Sequence, residues 1–126
     1  MGSFNSITAD NFENVYVLGI TRSENWIIYK FNSNFNATQI TFTYNNLYTF
    51  TSILFFNNLL YVSGSSSENL GFLVTINGNI SSESIDEKCS QFNAMIVNPE
   101  NTLILVGQDI NSVAYVSSFQ NNSLVL

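Results

Sequence analysis

The sequence predicts an all-β fold made of three four-stranded antiparallel blades of a β-propeller, and three observations support this prediction. An apolar, strand-like run that contains a glycine near its end occurs three times, at Val15–Thr21, Leu60–Ser65 and Leu103–Gln108. The three glycines, Gly19, Gly64 and Gly107, are 45 and 43 residues apart. That spacing is within the range of one four-stranded propeller blade. Polar segments rich in Asn and Ser separate the apolar runs and favour turns.

The first unit, residues 6–45, contains four strand candidates. They are Ile7–Ala9, Val15–Thr21, Trp26–Phe31 and Thr38–Tyr44, and the last alternates clearly between polar and apolar residues. The segments between them are rich in Asp, Asn and Ser, whose side chains bond to nearby backbone and so favour turns.

The second unit, residues 50–86, repeats this order with strand candidates at Thr51–Phe56, Leu59–Ser63, Gly71–Ile76 and Ile80–Ile85. Its Asn77-Gly78 pair is a strong hairpin signal, because both central positions of the preferred two-residue turn have positive φ.

The third unit, residues 92–126, has candidates at Asn93–Val97, Leu103–Val106, Val113–Phe119 and Leu124–Leu126. One segment before it is ambiguous. Ile85, Cys89, Phe92 and Met95 lie at helical spacing. A short helix within residues 84–95 is therefore the alternative to strands there.

Three blades are too few to close a ring, because propellers usually have about four to eight blades. Each end blade would expose an apolar flank, and two chains paired about a two-fold axis would cover all four flanks. We therefore expect one domain, residues 1–126, that forms half of a propeller and is completed to six blades by a homodimer partner. The alternative is that the chain is part of a longer propeller.

Composition limits the possible partners. Charged residues make up 10% of the chain and its net charge is −6, whereas typical soluble domains have about 25% charged residues. Twenty Asn residues and many Ser and Thr supply the polarity instead, which suits an extracellular or cell-surface location. Arg22, Lys30 and Lys88 are the only basic residues, so nucleic acid is not an expected partner.

The sequence also contains few residues suited to catalysis. There is no His, Cys89 is the single cysteine, and no apolar run reaches the roughly 18 residues that a membrane span needs. We found no catalytic motif and expect no enzyme activity and no cofactor, with calcium as the one metal to consider.

The first unit resembles a known repeat. Ala9-Asp10, Asn14-Val15-Tyr16-Val17, Gly19-Ile20-Thr21 and the aromatic run from Trp26 to Lys30 resemble the blade repeat of cell-surface β-propellers of the SBBP kind. The second unit has Thr75 in place of the lysine, and the third keeps Gly107 but lacks the tyrosine and the threonine. The resemblance implies a fold only, because such families are diverse in function.

Turns between the second and third strands of a blade lie on the same face as the connections between blades. In each unit this turn carries an acid and a carboxamide: Glu24-Asn25, Glu68-Asn69, and Asp109 with Asn111. Their oxygens suit calcium or sugar hydroxyls, so they are candidate ligand-binding residues, with an ordinary solvated rim as the alternative. Trp26, next to the first of these turns, is the candidate sugar platform, although strand aromatics are typical of a packed core.

Turns between the third and fourth strands lie on the opposite face and carry N-glycosylation sequons. The acceptors are Asn36, Asn79 and Asn121. The alternative is that turns rich in Asn and Ser produce such sequons by composition alone.

The expected function is that of a non-enzymatic extracellular binding or assembly module, with its acidic and Asn-rich face presented to a glycan, calcium or a protein. The alternative is a structural subunit of an extracellular filament, surface layer or virion.

Overall fold

A computed structural model describes residues 2–78, 80–120 and 123–125. These residues form twelve β-strands and no helix, in three four-stranded antiparallel sheets whose strands follow one another in chain order. The predicted fold class, all-β with three antiparallel four-stranded blades, is confirmed.

The strands of the three blades are as follows. Blade 1 contains β1 (Ser3–Ala9), β2 (Val15–Ile20), β3 (Trp26–Phe31) and β4 (Ala37–Ile40). Blade 2 contains β5 (Thr49–Phe56), β6 (Leu59–Ser65), β7 (Gly71–Asn77) and β8 (Ile80–Asp86). Blade 3 contains β9 (Cys89–Val97), β10 (Leu103–Asp109), β11 (Ala114–Gln120) and β12 (Ser123–Val125).

The first strands of the blades lie side by side, β1 next to β5 and β5 next to β9. At the first of these seams, hydroxyls of β1 accept hydrogen bonds from the edge of β5. Ser6 Oγ accepts from the Ile53 amide at 3.2 Å, and Thr8 Oγ1 accepts from the Phe55 amide at 3.0 Å. Side chains thus satisfy backbone groups that a sheet edge would otherwise leave unpaired.

Two apolar cores hold the blades together. The core between blades 1 and 2 contains Leu18, Trp26 and Ile28 on one side and Phe50 and Phe72 on the other. The core between blades 2 and 3 includes Tyr61, Leu73, Phe92 and Leu105, together with Cys89. Each blade is therefore stabilised mainly by its neighbour, as in other repeat architectures.

The recurring glycine has a steric cause. Gly19, Gly64 and Gly107 each pair with a phenylalanine of the first strand, and in each case a β-bulge follows that phenylalanine. A Cβ atom on Gly64 would lie 1.8 Å from the Thr49 carbonyl oxygen, and one on Gly107 would lie 1.9 Å from that of Gln91. Glycine is required because the bulged strand comes too close for any side chain.

The prediction that the fourth strand of blade 1 extends to Tyr44 is wrong. Strand β4 ends at Ile40, and the following segment leaves the sheet. Phe42 enters the core between blades 1 and 2, and the Tyr44 carbonyl accepts a hydrogen bond from the Trp26 amide at 2.8 Å. The alternating pattern continues past Ile40 because these aromatics fill the inter-blade core instead of extending the ladder.

The alternative of a short helix near residues 84–95 is also wrong. Strands β8 and β9 are joined by a turn at Glu87 and Lys88. A β-bulge between Cys89 and Gln91 places Cys89 and Phe92 on the same face of β9, where both are fully buried. Residues on one face of a regular strand are two positions apart. The extra residue at a bulge makes this spacing three, which resembles the spacing of a helix.

Candidate functional site

Within the part of the chain that the structure describes, six turns share one five-residue design. They are Asp10–Asn14, Thr21–Asn25, Asn32–Asn36, Ser66–Leu70, Asn98–Thr102 and Asp109–Val113. In each, the amide of the first residue donates to the carbonyl of the fifth over 2.8 to 3.1 Å, and the fourth residue has φ between 60° and 65°. The side-chain oxygen of the first residue accepts hydrogen bonds from amides within the turn. The first residue must therefore be Asp, Asn, Ser or Thr for structural reasons.

The predicted acidic residues do not occupy equivalent places in these turns. Asp109 is the first residue of its turn, and its Oδ1 accepts from the Asn111 and Val113 amides at 2.8 and 2.9 Å. Glu68 is the third residue of its turn and Glu24 is the fourth. Asn69 has the positive φ of the fourth position. The repeated acid seen in the sequence is thus not a repeated arrangement of carboxylates.

The carboxylates of this face are dispersed. Glu24 Oε2 accepts a hydrogen bond from Asn46 Nδ2 at 2.9 Å. Within residues 2–78, 80–120 and 123–125, no group of three or more acidic or Cys side chains is placed to hold a metal ion. The turns of this face therefore offer scattered polar side chains to a ligand.

Trp26 belongs to the core between blades 1 and 2. Its side chain is 6% exposed, its Nε1 donates to the Tyr48 carbonyl at 2.9 Å, and its ring meets Phe50 edge-on at 5.3 Å. A ring buried this deeply has no free face for a sugar. Trp26 and Asn25, two of the predicted site residues, line a groove of about 500 Å³ together with Gln39 and Tyr44.

Three tyrosine hydroxyls bond to carboxylates. Tyr16 donates to Asp10 at 2.9 Å, and Tyr115 donates to Asp86 at 2.8 Å. Burial, together with these bonds, raises the pKa of Tyr16 and that of Tyr115 to about 12. Burial and a bond to Glu83 likewise raise the pKa of Tyr44. These phenols stay protonated near neutral pH and serve as hydrogen-bond donors, and the Tyr115–Asp86 pair links β11 of blade 3 to β8 of blade 2.

Of the three predicted glycan acceptors, only Asn36 lies within the described residues. It is the last residue of the Asn32–Asn36 turn between β3 and β4, and its side chain is exposed. Asn79 and Asn121 lie outside the described residues. The antiparallel strand order puts the β3–β4 turn on the face opposite the β2–β3 turn.

The outer face of blade 1, which we call the blade-1 flank, is largely apolar, and no other blade packs on it, although its side chains range from exposed at Phe4 and Ile7 to buried at Ile27. In an antiparallel ladder, directly paired residues share a face, so the registers of β1, β2 and β3 define this flank. Its apolar members are Phe4, Ile7, Val15, Val17, Ile27, Tyr29 and Phe31. Phe4 is 61% exposed and Ile7 is 67% exposed.

The outer face of blade 3, which we call the blade-3 flank, has the same character. The register places Gln91, Gln108 and Ser118 on this face as well, and its apolar members are Ala94, Ile96, Ile104, Val106, Ala114, Val116 and Val125. Ile96 is 63% exposed and Val116 is 55% exposed. The sequence predicted two apolar flanks but not which residues form them. Alternation shows that two sets of residues face opposite sides of a strand, but not which side another blade covers.

No protein-family model and no curated protein matches this chain. The resemblance to SBBP repeats therefore stays a prediction. The described residues contain no helix long and apolar enough to cross a membrane.

Proposed function

We propose that the chain is a non-enzymatic extracellular or cell-surface assembly module that joins its two open flanks to further propeller blades. Contiguous apolar faces of this kind mark protein interaction sites. Of the three ligand classes expected from the sequence, a protein fits these surfaces best, and a homodimer is the form we propose.

The observation that carries the proposal is a comparison of equivalent residues. Phe4, Phe50 and Phe92 occupy the same place in the three blades, each paired with the recurring glycine. Phe50 is 1% exposed and Phe92 is 0% exposed because a preceding blade covers them, whereas Phe4 is 61% exposed. Ile7 and its equivalent Ile53 differ in the same way, at 67% and 4%. The blade-1 flank thus has the side chains of an inter-blade interface without the neighbouring blade.

Sedimentation velocity over a range of protein concentrations tests the proposal. We expect a species heavier than the 14.1 kDa chain, and we expect Ile7→Asp to reduce it. A chain that stays monomeric at every concentration would contradict the assembly function.

The structural-subunit alternative uses the same flanks. If the contact between chains does not close into a ring, the flanks would build an open filament of an extracellular structure or a virion. Concentration-dependent polymers in electron micrographs would favour it.

The groove beside Asn25 and Trp26 is the observation that favours a second candidate, binding of a glycan or calcium at the turn face. A glycan array, and calcium titration followed by melting temperature, test it. No binding and no change in melting would remove it.

A further inference from the structure

The two flanks are opposite halves of one kind of interface. In each blade, one sheet face carries the recurring glycine, and we call it the glycine face. At both interfaces inside the chain, the glycine face of one blade packs on the other face of the preceding blade. Phe50 and Phe72 of blade 2 pack in this way on Leu18 and Ile28 of blade 1.

The same rule holds between blades 2 and 3. Phe92 and Leu105, on the glycine face of blade 3, pack with Tyr61 and Leu73, on the other face of blade 2. Two interfaces with different side chains therefore use the same geometry, so the contact is a property of the repeat.

By this rule the free flanks fit each other. The blade-1 flank is a glycine face, because Gly19, Phe4 and Val17 share it. The blade-3 flank is the other face, because Val106 and Val116 point away from Gly107 and Leu105. One further inter-blade contact needs a glycine face that has no preceding blade and an opposite face that has no following blade. The two flanks supply these faces.

We infer that a second copy of this chain fills both flanks, head to tail, so that the blade-1 flank of each copy packs on the blade-3 flank of the other. This inference rests on the proposed assembly function and names its partner and contact. Two copies give six blades, within the usual range of about four to eight, and three copies would give nine. In a closed ring of two copies the two contacts are identical and are related by a two-fold axis.

Equivalent residues predict the contacts across the seam. Inside the chain, the ring of Phe50 meets that of Trp26 at 5.3 Å. Phe4 is the equivalent of Phe50. Ala114 is the equivalent of Trp26, because each pairs with the residue that follows the recurring glycine. Phe4 of one copy is therefore expected over Ala114 of the other, where the small side chain leaves room for the ring.

A polar contact is expected by analogy with the seam between blades 2 and 3. Thr51, the extra residue of the bulge in β5, donates from Oγ1 to the Phe92 carbonyl at 2.6 Å and so links blades 2 and 3. Asn93 is the extra residue of the equivalent bulge in β9 and is exposed. Its side-chain amide is expected to donate to the Phe4 carbonyl of the second copy.

Complementation of two variants tests the inference. Ile7→Asp places a charge on the blade-1 flank, and Val116→Asp places one on the blade-3 flank; both positions are more than half exposed, so each chain should fold. We expect the unmodified chain at twice 14.1 kDa and each variant alone as a monomer. An equal mixture should form a heterodimer through its one intact pair of flanks, detected by native mass spectrometry. Ile110→Asp, at an exposed turn position off both flanks, is the control and should leave the dimer intact.

Cross-linking gives a second readout that does not depend on the strength of a single contact. Phe4→Cys and Ala114→Cys chains, mixed and treated with a short bismaleimide, should form the mixed covalent dimer and neither homodimer. Cys89 is fully buried and should not react.

The outcomes separate the inference from the proposed function. An unmodified chain that is always monomeric overturns both. A dimer that only one of the two Asp variants dissociates shows pairing of like flanks, and long polymers show an open chain. Either result overturns the closed head-to-tail ring and leaves the assembly function standing. A mixture that yields neither heterodimer nor mixed cross-link also overturns the ring.

Discussion

The three equivalent phenylalanines give a prediction with an internal control. Phe50 is 1% exposed, and its ring meets five other aromatic rings, of Trp26, Phe42, Tyr44, Tyr48 and Phe72, at 5.1 to 6.2 Å. Truncating a buried phenylalanine to alanine costs about 3–5 kcal/mol, and this packing puts Phe50→Ala at the upper end, about 5 kcal/mol. Phe4 is 61% exposed and meets only Tyr29 among the rings of the described residues. Its loss should cost about 1 kcal/mol, the share of a phenylalanine transfer energy that its buried part represents.

Urea unfolding at low protein concentration measures both costs. With a slope of about 2 kcal/mol per molar urea, the midpoint should fall by about 2 M or more for Phe50→Ala and by about 0.5 M for Phe4→Ala. Phe92→Ala, at a position that is 0% exposed, should resemble Phe50→Ala. Equal costs for Phe4→Ala and Phe50→Ala in the monomer would refute the assignment of Phe4 to an open flank. At high concentration the loss for Phe4→Ala should grow, because assembly stabilises the folded chain by mass action.

Three further predictions concern pH, thiol reactivity and glycine. Burial alone would raise the pKa of Asp10, but hydrogen bonds from the Asn14 side chain and from nearby amides outweigh it and leave the pKa below 3.8. The stabilisation from ionised Asp10 is therefore present above pH 3.8 and should be lost as pH falls below it; urea midpoints measured from pH 7 to pH 2 should fall less steeply in Asp10→Asn. Burial raises the pKa of Cys89 to about 11, so its reaction with a thiol reagent at pH 8 should be at least about 100-fold slower in the native chain than in urea; comparable rates would contradict this. Gly64→Ala should prevent the native packing of β5 against β6, whereas Gly78→Ala, with φ of 62° and no atom within 4 Å of the added methyl, should cost only about 1–2 kcal/mol; thermal unfolding of both variants tests the contrast.

Strand order and blade number were predictable because they depend on local signals. The glycines recur because the bulged first strand of each blade leaves no room for a side chain at that position. The Asn-rich segments indicate turns. Each of these signals is produced within one blade, so it survives even where the side chains of the three blades differ.

Other features depend on contacts between distant residues. The sequence around Phe42 and Tyr44 alternates like a strand, but the core between blades 1 and 2 takes both side chains. Likewise, Cys89 and Phe92 share a face only because a bulge lies between them. No local pattern distinguishes these cases from a regular strand or a helical turn.

The repetition of acids in the candidate ligand turns does not correspond to a repeated arrangement, because Glu24, Glu68 and Asp109 hold different places in their turns. The turns need a short oxygen-bearing side chain at the first position and accept many residues elsewhere, so acids gather there without sharing an orientation. Phe4 and Phe50 show the converse case, because their local sequences are alike and only the presence of a neighbouring blade distinguishes them.

The shared turn design has a consequence for how the chain can vary. Only the first of the five residues is chosen for its hydrogen bonds, while residues as different as Glu24, Phe35, Asn69 and Ser112 occupy the left-handed fourth position. Substitutions at the middle positions can therefore accumulate without loss of the loop geometry. The geometry of these loops is specified by few positions, so two chains could share the loops while having few identical residues within them.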